Sequence, residues 1–245
     1  MVRSENDETS LEQVKKANLT RETVYAFLSR GFKAEVDCTY LTTMEEIQPI
    51  LEVLSDSQKG EDMIKGYKLL RKFTAHVNSL KDGERQDFMT DLAAEYASLF
   101  LGVGQNPVHL MESVYLGKDH LLYEKPYHEI LAAYRSLGFE KEKGFPEPED
   151  HVAVEFEFMA NMCRWTIRSL ECSDVRNAIT YLNLQKEFLN DHILAWAPEM
   201  SKRLRETATS DLYKALAHLT KGFVMLDGEV TDHLGEVLRN KALSR

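Results

Sequence analysis

Apolar side chains recur three and four residues apart along most of this chain, and this spacing limits what the chain can fold into. Val24, Phe27, Leu28 and Phe32 are one example. Residues spaced in this way share one face of an α-helix, whereas a half-buried β-strand alternates apolar and polar residues. No stretch of convincing length alternates in that way. Gly (12) and Pro (6) are also scarce, although sheet proteins need many tight turns. The sequence therefore predicts an all-α protein.

The helical spacing predicts a single globular bundle of about nine or ten helices. A first helix begins at Thr20, with Asn18 or Thr20 as its cap, and ends near Gly31. The longest amphipathic segment, 148–170, has such a wide apolar arc that we expect a central helix contacted on more than one side. The other segments with helical spacing are 43–54, 61–80, 84–101, 127–137, 178–196 and 198–226, the last with a break near 209–210.

Two parts of the chain lack helical spacing. The polar N-terminus has little to bury, so residues 1–17 are predicted to be a disordered tail before a helical domain at 18–245. The stretch 102–118 contains Gly102, Gly104 and Pro107 and is the longest non-helical candidate in the chain. We treat it as a candidate hinge between an N-terminal and a C-terminal lobe.

The charge balance limits the classes of partner. Thirty Lys and Arg against forty Asp and Glu give a net charge of −10, and no window combines many basic residues with aromatic ones. Proteins that bind nucleic acid normally carry a basic patch, so this class is disfavoured. The acidic balance favours cationic partners through long-range attraction. It also keeps a protein soluble, and net charge alone does not choose between the two explanations.

Cysteine content and hydropathy predict a compartment. Cys38, Cys163 and Cys172 are odd in number and form no C-x-x-C pair. This argues against a disulfide framework or a zinc–thiolate site and fits a reducing compartment. The first ten residues have no apolar core of the kind found in signal peptides, and no apolar window is long enough to span a bilayer. We therefore expect a cytoplasmic protein that does not insert stably into membranes.

Templates for catalysis and metal binding are absent from the sequence. It contains no Walker or Rossmann phosphate motif, no nucleophile elbow and no H-E-x-x-H pair. A di-iron bundle would need Glu-x-x-His on two helices, because residues three apart share a helix face. Glu124 and His128 flank Pro126, and Glu187 and His192 are five apart, which on an α-helix directs them to diverging faces. No metal or cofactor is predicted.

The segment 147–151, with the sequence E-P-E-D-H, has two interpretations. Pro148 suits the first turn of a helix, and the charges of Glu149 and Asp150 are favourable at a helix N-terminus. This capping role leaves Glu147 and His151 unexplained. Three carboxylates and an imidazole at a loop–helix junction also form a cluster that could bind a cation, in particular a guanidinium through paired hydrogen bonds.

This segment is one of four elements that occur in a recognisable order. E-P-E-D-H, followed by Glu155 and Phe156, resembles the E-P-x-D-H signature of the TorD/DmsD/NarJ family of redox-enzyme maturation chaperones. Y-A-S-L-F-L-G at 96–102 is similar to the family's aromatic-x-x-Leu-Phe-x-Gly stretch, and E-S-V-Y at 112–115 to its E-S-V-Y element. F-L-N-D-H-I-L-A-W-A-P at 188–198 resembles its F-L-x-x-H-L-x-x-W-x-P element. The ordered set is more specific than any single element.

The resemblance implies an all-helical chaperone that binds the twin-arginine signal peptide of a molybdenum-containing oxidoreductase, and contact with the mature domain of that partner stays open. Such a chaperone assists cofactor insertion and delays export of its partner until maturation is complete. In the family, the Asp-His of the signature and the aromatic-x-x-Leu-Phe residues contribute to peptide binding. Carried over by position, these residues are Asp150, His151, Tyr96, Leu99 and Phe100.

Two further residues complete the predicted peptide site. Glu147 is a secondary candidate for the cationic part of the peptide, and Met111 could line the apolar part flexibly. Relatives that resemble DmsD have a Pro-Trp pair before the Ser-Val-Tyr element, where this chain has Leu110 and Met111. Leu99 has the spacing of a core residue, whereas the spacing of its neighbours in the same stretch suits core or peptide equally.

Two other functions remain beside the chaperone, which performs no turnover. A helical adaptor would bind a folded partner through the C-terminal helices. A small helical enzyme would use His151 with Asp150 or Glu147 as acid–base groups, although neighbouring residues on a helix diverge by about 100°. Members of the family occur as monomers and as domain-exchanged homodimers, and the connection 102–118 could serve either form.

Overall fold

The computed structural model describes residues 5–56 and 60–243, with side chains from Ser10 onward, and every regular element in these ranges is a helix. The prediction of an all-α fold is confirmed. A π-helical turn, Leu189–Ile193, joins the ninth and tenth α-helices. The α-helices are α1 (Glu5–Lys33), α2 (Cys38–Glu46), α3 (Gln48–Asp56), α4 (Glu61–Ser79), α5 (Asp82–Phe100), α6 (Glu112–Leu116), α7 (Lys125–Ser136), α8 (Val152–Glu171), α9 (Val175–Phe188), α10 (Leu194–Thr207) and α11 (Asp211–Leu243).

Helix α8 lies at the centre of the bundle. It packs along α1 on one side and against α9 on another. Phe156, Met159 and Cys163, which belong to the predicted stripe, are fully buried, and so are Phe158 and Met162 beside it. The expectation of a central helix contacted on several sides is confirmed, because an apolar arc this wide is covered by more than one neighbouring helix.

The two halves of the chain are interleaved. From the N-terminal half, α1 packs along α8 and α4 packs along α11. Helices α4 and α11 approach closely at Gly66 and Gly222, where an added Cβ would lie 2.7–2.8 Å from the backbone nitrogens of Leu219 and Met63. In the connection 102–118, the amide of Val108 donates to the carbonyl of Leu99 at 2.7 Å. A role of this connection as a hinge stays a prediction.

The prediction of a disordered tail to residue 17 is wrong for the described part of that segment, which belongs to α1. Val14 is buried and packs in a small apolar cluster with residues of α8, α9 and α11. Leu11 and Ala17 pack against the same cluster. These three apolar residues have helical spacing but stand among charged residues in the sequence. Their burial depends on contacts with α8, α9 and α11, which the sequence does not show. Residues 1–4 lie outside the described ranges.

Helix boundaries differ from the prediction in three further places. The segment 43–54 belongs to two helices, α2 and α3, which are separated at Ile47. The predicted break at 209–210 is confirmed, but α11 continues past 226 to Leu243. Helix α8 begins at Val152 rather than at Pro148.

A fully hydrogen-bonded charged cluster, here called the arginine cluster, joins α1, α9 and α11. Arg21 donates to both carboxylate oxygens of Asp227, at 2.5 and 2.9 Å, and also to Gln185 and Thr231. The hydroxyl of Tyr25 donates to the same carboxylate at 2.7 Å. Burial is the largest single effect and would lower the pKa of Arg21, but the attraction of Asp227, its hydrogen bonds and the smaller contributions of Cys163 and Tyr25 together outweigh burial, and the pKa is raised. Arg21 therefore stays charged inside the bundle.

Candidate functional site

A cleft of about 450 Å³ opens where the ends of α1 and α5 meet the segments 109–111 and 145–151. It collects five of the seven residues predicted for the peptide site, namely Tyr96, Phe100, Met111, Glu147 and His151. Leu99 and Asp150 do not line it. The remaining lining residues were not predicted and are Arg30, Lys33, Ala34, Glu35, Asp37, Leu101, His109, Leu110, Phe145 and Pro146.

A short antiparallel pairing of extended backbone builds one wall of the cleft. The amide of Glu112 donates to the carbonyl of Asp150 at 2.9 Å, and the amide of Val152 donates to the carbonyl of Leu110 at 2.8 Å. Met111 and His151 face each other across this isolated bridge. His151 is extended and pairs with Met111, so α8 cannot begin at Pro148 as predicted. The pairing brings the E-S-V-Y and E-P-E-D-H elements side by side.

His151 caps α8 and lines the cleft at the same time. Its Nδ1 accepts a hydrogen bond from the amide of Ala153 at 3.1 Å, and its ring packs edge-on against Phe145. Burial lowers the pKa of His151 to about 3, with a further contribution from the nearby charges of Lys141 and Lys33. The imidazole is therefore neutral near pH 7, and its Nδ1 is occupied by the cap.

Asp150 lies behind the cleft rather than in it. Its side chain is fully buried, and one carboxylate oxygen accepts from the amide of Ser113 at 2.9 Å, which caps α6. Burial raises the pKa of Asp150, and the hydrogen bonds from Ser113 oppose that rise. Glu149, expected in the first turn of a helix, instead accepts from Tyr127 at 2.9 Å and lies 3.5 Å from Lys141.

The apolar wall of the cleft comes from the end of α5. Tyr96 and Phe100 pack edge-to-face with ring centroids 5.1 Å apart, and the hydroxyl of Tyr96 donates to the carbonyl of Phe32. Leu99 lies between these two residues in the sequence, but its side chain is buried in the core and does not line the cleft. Burial raises the pKa of Tyr96 to about 12, with Glu147 adding to the rise. The phenol is neutral at physiological pH.

Charges of both signs line the cleft, but only some are paired. Arg30 forms an ion pair with Asp37 at 3.0 Å, and Lys33 pairs with Glu142 and Glu157 outside the cleft. Among the described residues, no ion pair involves the carboxylates of Glu35 and Glu147. The cleft thus combines an aromatic wall with two carboxylates that have no cationic partner in the described part of the chain. A guanidinium or ammonium group beside an apolar side chain has suitable contacts there.

Behind the cleft lies a group of three buried carboxylates, Glu112, Asp150 and Glu155, here called the carboxylate cluster. His192 Nδ1 lies 3.1 Å from Glu112, and Trp196 Nε1 donates to Glu155 at 3.2 Å. Burial raises the pKa of Glu112 and, to a larger extent, that of Glu155, whose neighbours in the cluster add repulsion. The cluster connects the F-L-N-D-H-I-L-A-W-A-P element to the E-S-V-Y and E-P-E-D-H elements. Its members do not form a metal-binding group, since the described residues contain none.

Sequence reasoning missed the part of the cleft that comes from the end of α1 and from the loop 139–146. Arg30, Glu35 and Phe145 belong to none of the four elements. The end of α1 could be placed near Gly31 from its spacing, but no local signal indicates that it would meet the end of α5. The packing of α1 along α8 decides that contact.

Comparison with known proteins agrees with the four elements. The family described as nitrate reductase delta subunit matches residues 67–202, more than half of the chain. The chain belongs to this family. The Chaperone protein TorD of Aliivibrio salmonicida is 27% identical over 212 residues, covering 86% of this chain and 94% of its own. That of Photobacterium profundum is 31% identical over 155 residues, covering 63% of this chain and 69% of its own.

The relatives carry the name of a chaperone, and the prediction of a chaperone rather than an enzyme is confirmed at that level. The matched range contains the cleft residues of segments 96–101, 109–111 and 145–151, whereas the residues from the end of α1 precede it. In the described helices, no apolar stretch is long enough to cross a membrane.

Proposed function

We propose that this chaperone binds the twin-arginine signal peptide of a molybdenum-containing oxidoreductase in the cleft. Binding there assists cofactor insertion and delays export until the partner is mature, and the process takes place in the cytoplasm. One observation carries the proposal. Two sequence elements that are far apart in the chain, 96–102 and 147–151, converge on one cleft together with Met111, which directly precedes the E-S-V-Y element, and carboxylates without a cationic partner lie there beside an aromatic wall.

The cleft suits both parts of such a peptide. Glu147 and Glu35 offer acceptors to guanidinium groups, which bind carboxylates through two parallel hydrogen bonds. Tyr96, Phe100 and Met111 offer apolar contact to the residues beside the arginines. Extended or helical peptides bind in such grooves through side chains in alternate or periodic pockets.

Within this proposal, Asp150 and His151 have different roles. His151 lines the cleft and contacts the peptide as a neutral imidazole. Asp150 is a positioning residue, because it holds the N-terminus of α6 and thereby the adjacent Met111. Leu99 supports the aromatic wall from the core. Whether the chaperone acts as a monomer or as a domain-exchanged homodimer stays a prediction.

The test is a titration of the purified full chain with synthetic twin-arginine signal peptides of molybdenum oxidoreductases from its own organism. We expect one of these peptides to bind, and its copy with both arginines replaced by alanine to bind at least about tenfold more weakly, since two ion pairs are lost. Absence of measurable affinity for every such peptide contradicts the proposal and favours an adaptor.

Variants separate the cleft from general electrostatics. Glu147→Gln should weaken binding about two- to fivefold, and more at low salt than at high salt, because exposed charges are screened. Glu206→Gln is the matched control, since Glu206 is an exposed glutamate outside the cleft. Equal effects of both variants would locate the peptide elsewhere.

A further inference from the structure

A second, smaller pocket of about 170 Å³ lies between α7, α8 and the junction of α9 with the π-helical turn. It is here called the side pocket. Its floor is formed by the buried side chains of Phe158, Met162 and Phe188. It is outside the cleft and shares no residue with it. The remaining lining residues are Ala133, Ser136, Leu137, Leu184, Glu187, Asp191 and His192.

The π-helical turn shapes one wall of this pocket. The sequence spacing predicted that Glu187 and His192, five residues apart, would diverge as they do on an α-helix. This expectation is wrong, because both line the side pocket. A π-turn closes hydrogen bonds between residues five apart, as the amide of Leu194 does with the carbonyl of Leu189. Turns of this kind are frequent at functional sites.

The charges around the side pocket are all of one sign. Glu187 and Asp191 are exposed at its mouth, and no Lys or Arg lines it. Within the described ranges, neither carboxylate takes part in an ion pair or a hydrogen bond. His192 lies below them, with its ring 4.8 Å from that of Phe188 and its Nδ1 directed to Glu112. The pocket therefore has an apolar and aromatic floor below two carboxylates without partners.

Size and chemistry together limit the occupant. Small-molecule and cofactor sites usually measure about 300–1,000 Å³, so this pocket has room for a single side chain. An arginine side chain has an apolar stem for the floor, a planar cation that stacks on aromatic rings, and donors for two carboxylates. We propose that the side pocket binds one arginine side chain of a partner polypeptide, as a docking point separate from the cleft.

The position of the pocket also distinguishes it from the cleft. His151 in the cleft and Met162 in the side pocket are separated by eleven residues of α8, or about 16 Å at 1.5 Å per residue. An extended chain covers that distance with about five residues. The two places are therefore distinct, and the side pocket is a docking point of its own. This proposal does not depend on the proposed function of the cleft.

Methyl NMR of the full chain with ¹³C-labelled methionines tests the proposal, because Met162 lines the side pocket and Met111 lines the cleft. The two signals are assigned from the spectra of Met162→Leu and Met111→Leu. The probes are N-acetyl-arginine amide and its neutral analogue, N-acetyl-citrulline amide. We expect saturable movement of the Met162 signal with the arginine probe and at least about threefold weaker binding of the citrulline probe.

The double variant Glu187→Gln/Asp191→Asn should bind the arginine probe about three- to tenfold more weakly at the Met162 signal. Glu171→Gln/Glu206→Gln removes two exposed charges elsewhere and should leave the affinity unchanged. The proposal is overturned if the Met162 signal does not move, if citrulline is as effective, or if the first double variant binds normally. Movement of the Met111 signal alone also overturns it, while leaving the function proposed for the cleft intact.

Discussion

The arginine cluster and the carboxylate cluster are both buried and both join several helices, but they treat charge in opposite ways. In the arginine cluster, Arg21 and Asp227 neutralise each other and the surrounding polar groups complete their hydrogen bonds. In the carboxylate cluster, three acids lie together and no Lys or Arg among the described residues contacts them. Burial and mutual repulsion raise the pKa of Glu155 well above its usual range.

The difference indicates what each cluster contributes. A buried, fully paired cluster fixes the relative positions of α1, α9 and α11 and has little chemistry left to offer. A group of acids with raised pKa values is typical of functional sites, because such a group lies where burial is not compensated by a partner. The carboxylate cluster lies directly behind Met111 and His151. His192, which contacts Glu112 of this cluster, also lines the side pocket. Four predictions test this contrast.

The largest effect is expected from breaking the arginine cluster. Arg21→Met leaves the buried carboxylate of Asp227 without its cation, and removal of one partner of a buried ion pair costs about 3–5 kcal/mol. Urea unfolding at pH 7 measures the loss. Adding Asp227→Asn to the same variant should restore at least about 1 kcal/mol, because no unpaired charge then remains. A loss below about 1 kcal/mol for Arg21→Met would show that the cluster does not hold the helices.

The next effect depends on pH and concerns His151. Its pKa is lowered to about 3 in the folded chain from an ordinary value of 6.5, so the unfolded chain binds the proton first as the pH falls. Stability is therefore lost below pH 6.5, by up to about 2 kcal/mol at pH 5. Asn is also a good cap but does not bind a proton in this range. The urea midpoint of His151→Asn should therefore fall less between pH 7 and pH 5 than that of the wild type. An unchanged difference between the two pH values would contradict burial of a neutral imidazole.

A smaller effect is expected from Glu155→Gln in the carboxylate cluster. An acid with a raised pKa keeps its proton in the folded chain, so its contribution to stability is present below the ordinary pKa and is lost as the pH rises through the raised one. Gln can still accept from Trp196, so the free energy of unfolding at pH 6 should change by less than about 1 kcal/mol. Urea unfolding between pH 6 and 9 should show a smaller loss of stability for the variant. An equal loss in the variant and the wild type would mean that Glu155 is already ionised in the folded chain at pH 6.

The smallest effect is expected at the surface, between two of the three helices that the arginine cluster joins. Lys186 on α9 and Asp232 on α11 form an ion pair at 2.5 Å, and both side chains are about half exposed. Exposed pairs contribute about 0–1 kcal/mol because water screens them. Lys186→Met should therefore lower the free energy of unfolding by less than about 0.5 kcal/mol. If Lys186→Met lowered the free energy of unfolding as much as Arg21→Met does, burial would not explain why the arginine cluster stabilises the fold.

Much of the fold could be predicted from the sequence, because amphipathic spacing is a local property of each helix. The central position of α8 followed from the width of its apolar arc, and the break at 209–210 from the loss of spacing. The buried part of α1 before Asn18 was missed, since a few apolar residues among charged ones acquire meaning only when other helices cover them. The start of α8 was missed because strand-like pairing with 110–112 overrode a good capping pattern.

The sequence alone determined that this chain is all-helical and which elements resemble the chaperone family, because spacing and motif order are written along the chain. Only the tertiary structure decided which of those residues share a surface. It placed Tyr96, Met111, Glu147 and His151 around one cleft and moved Asp150 into the carboxylate cluster behind it. It also placed Glu187 and His192 in the wall of one pocket, because a π-turn lies between them. The reason is that contacts between distant segments depend on how helix faces pack, and no local pattern specifies that packing.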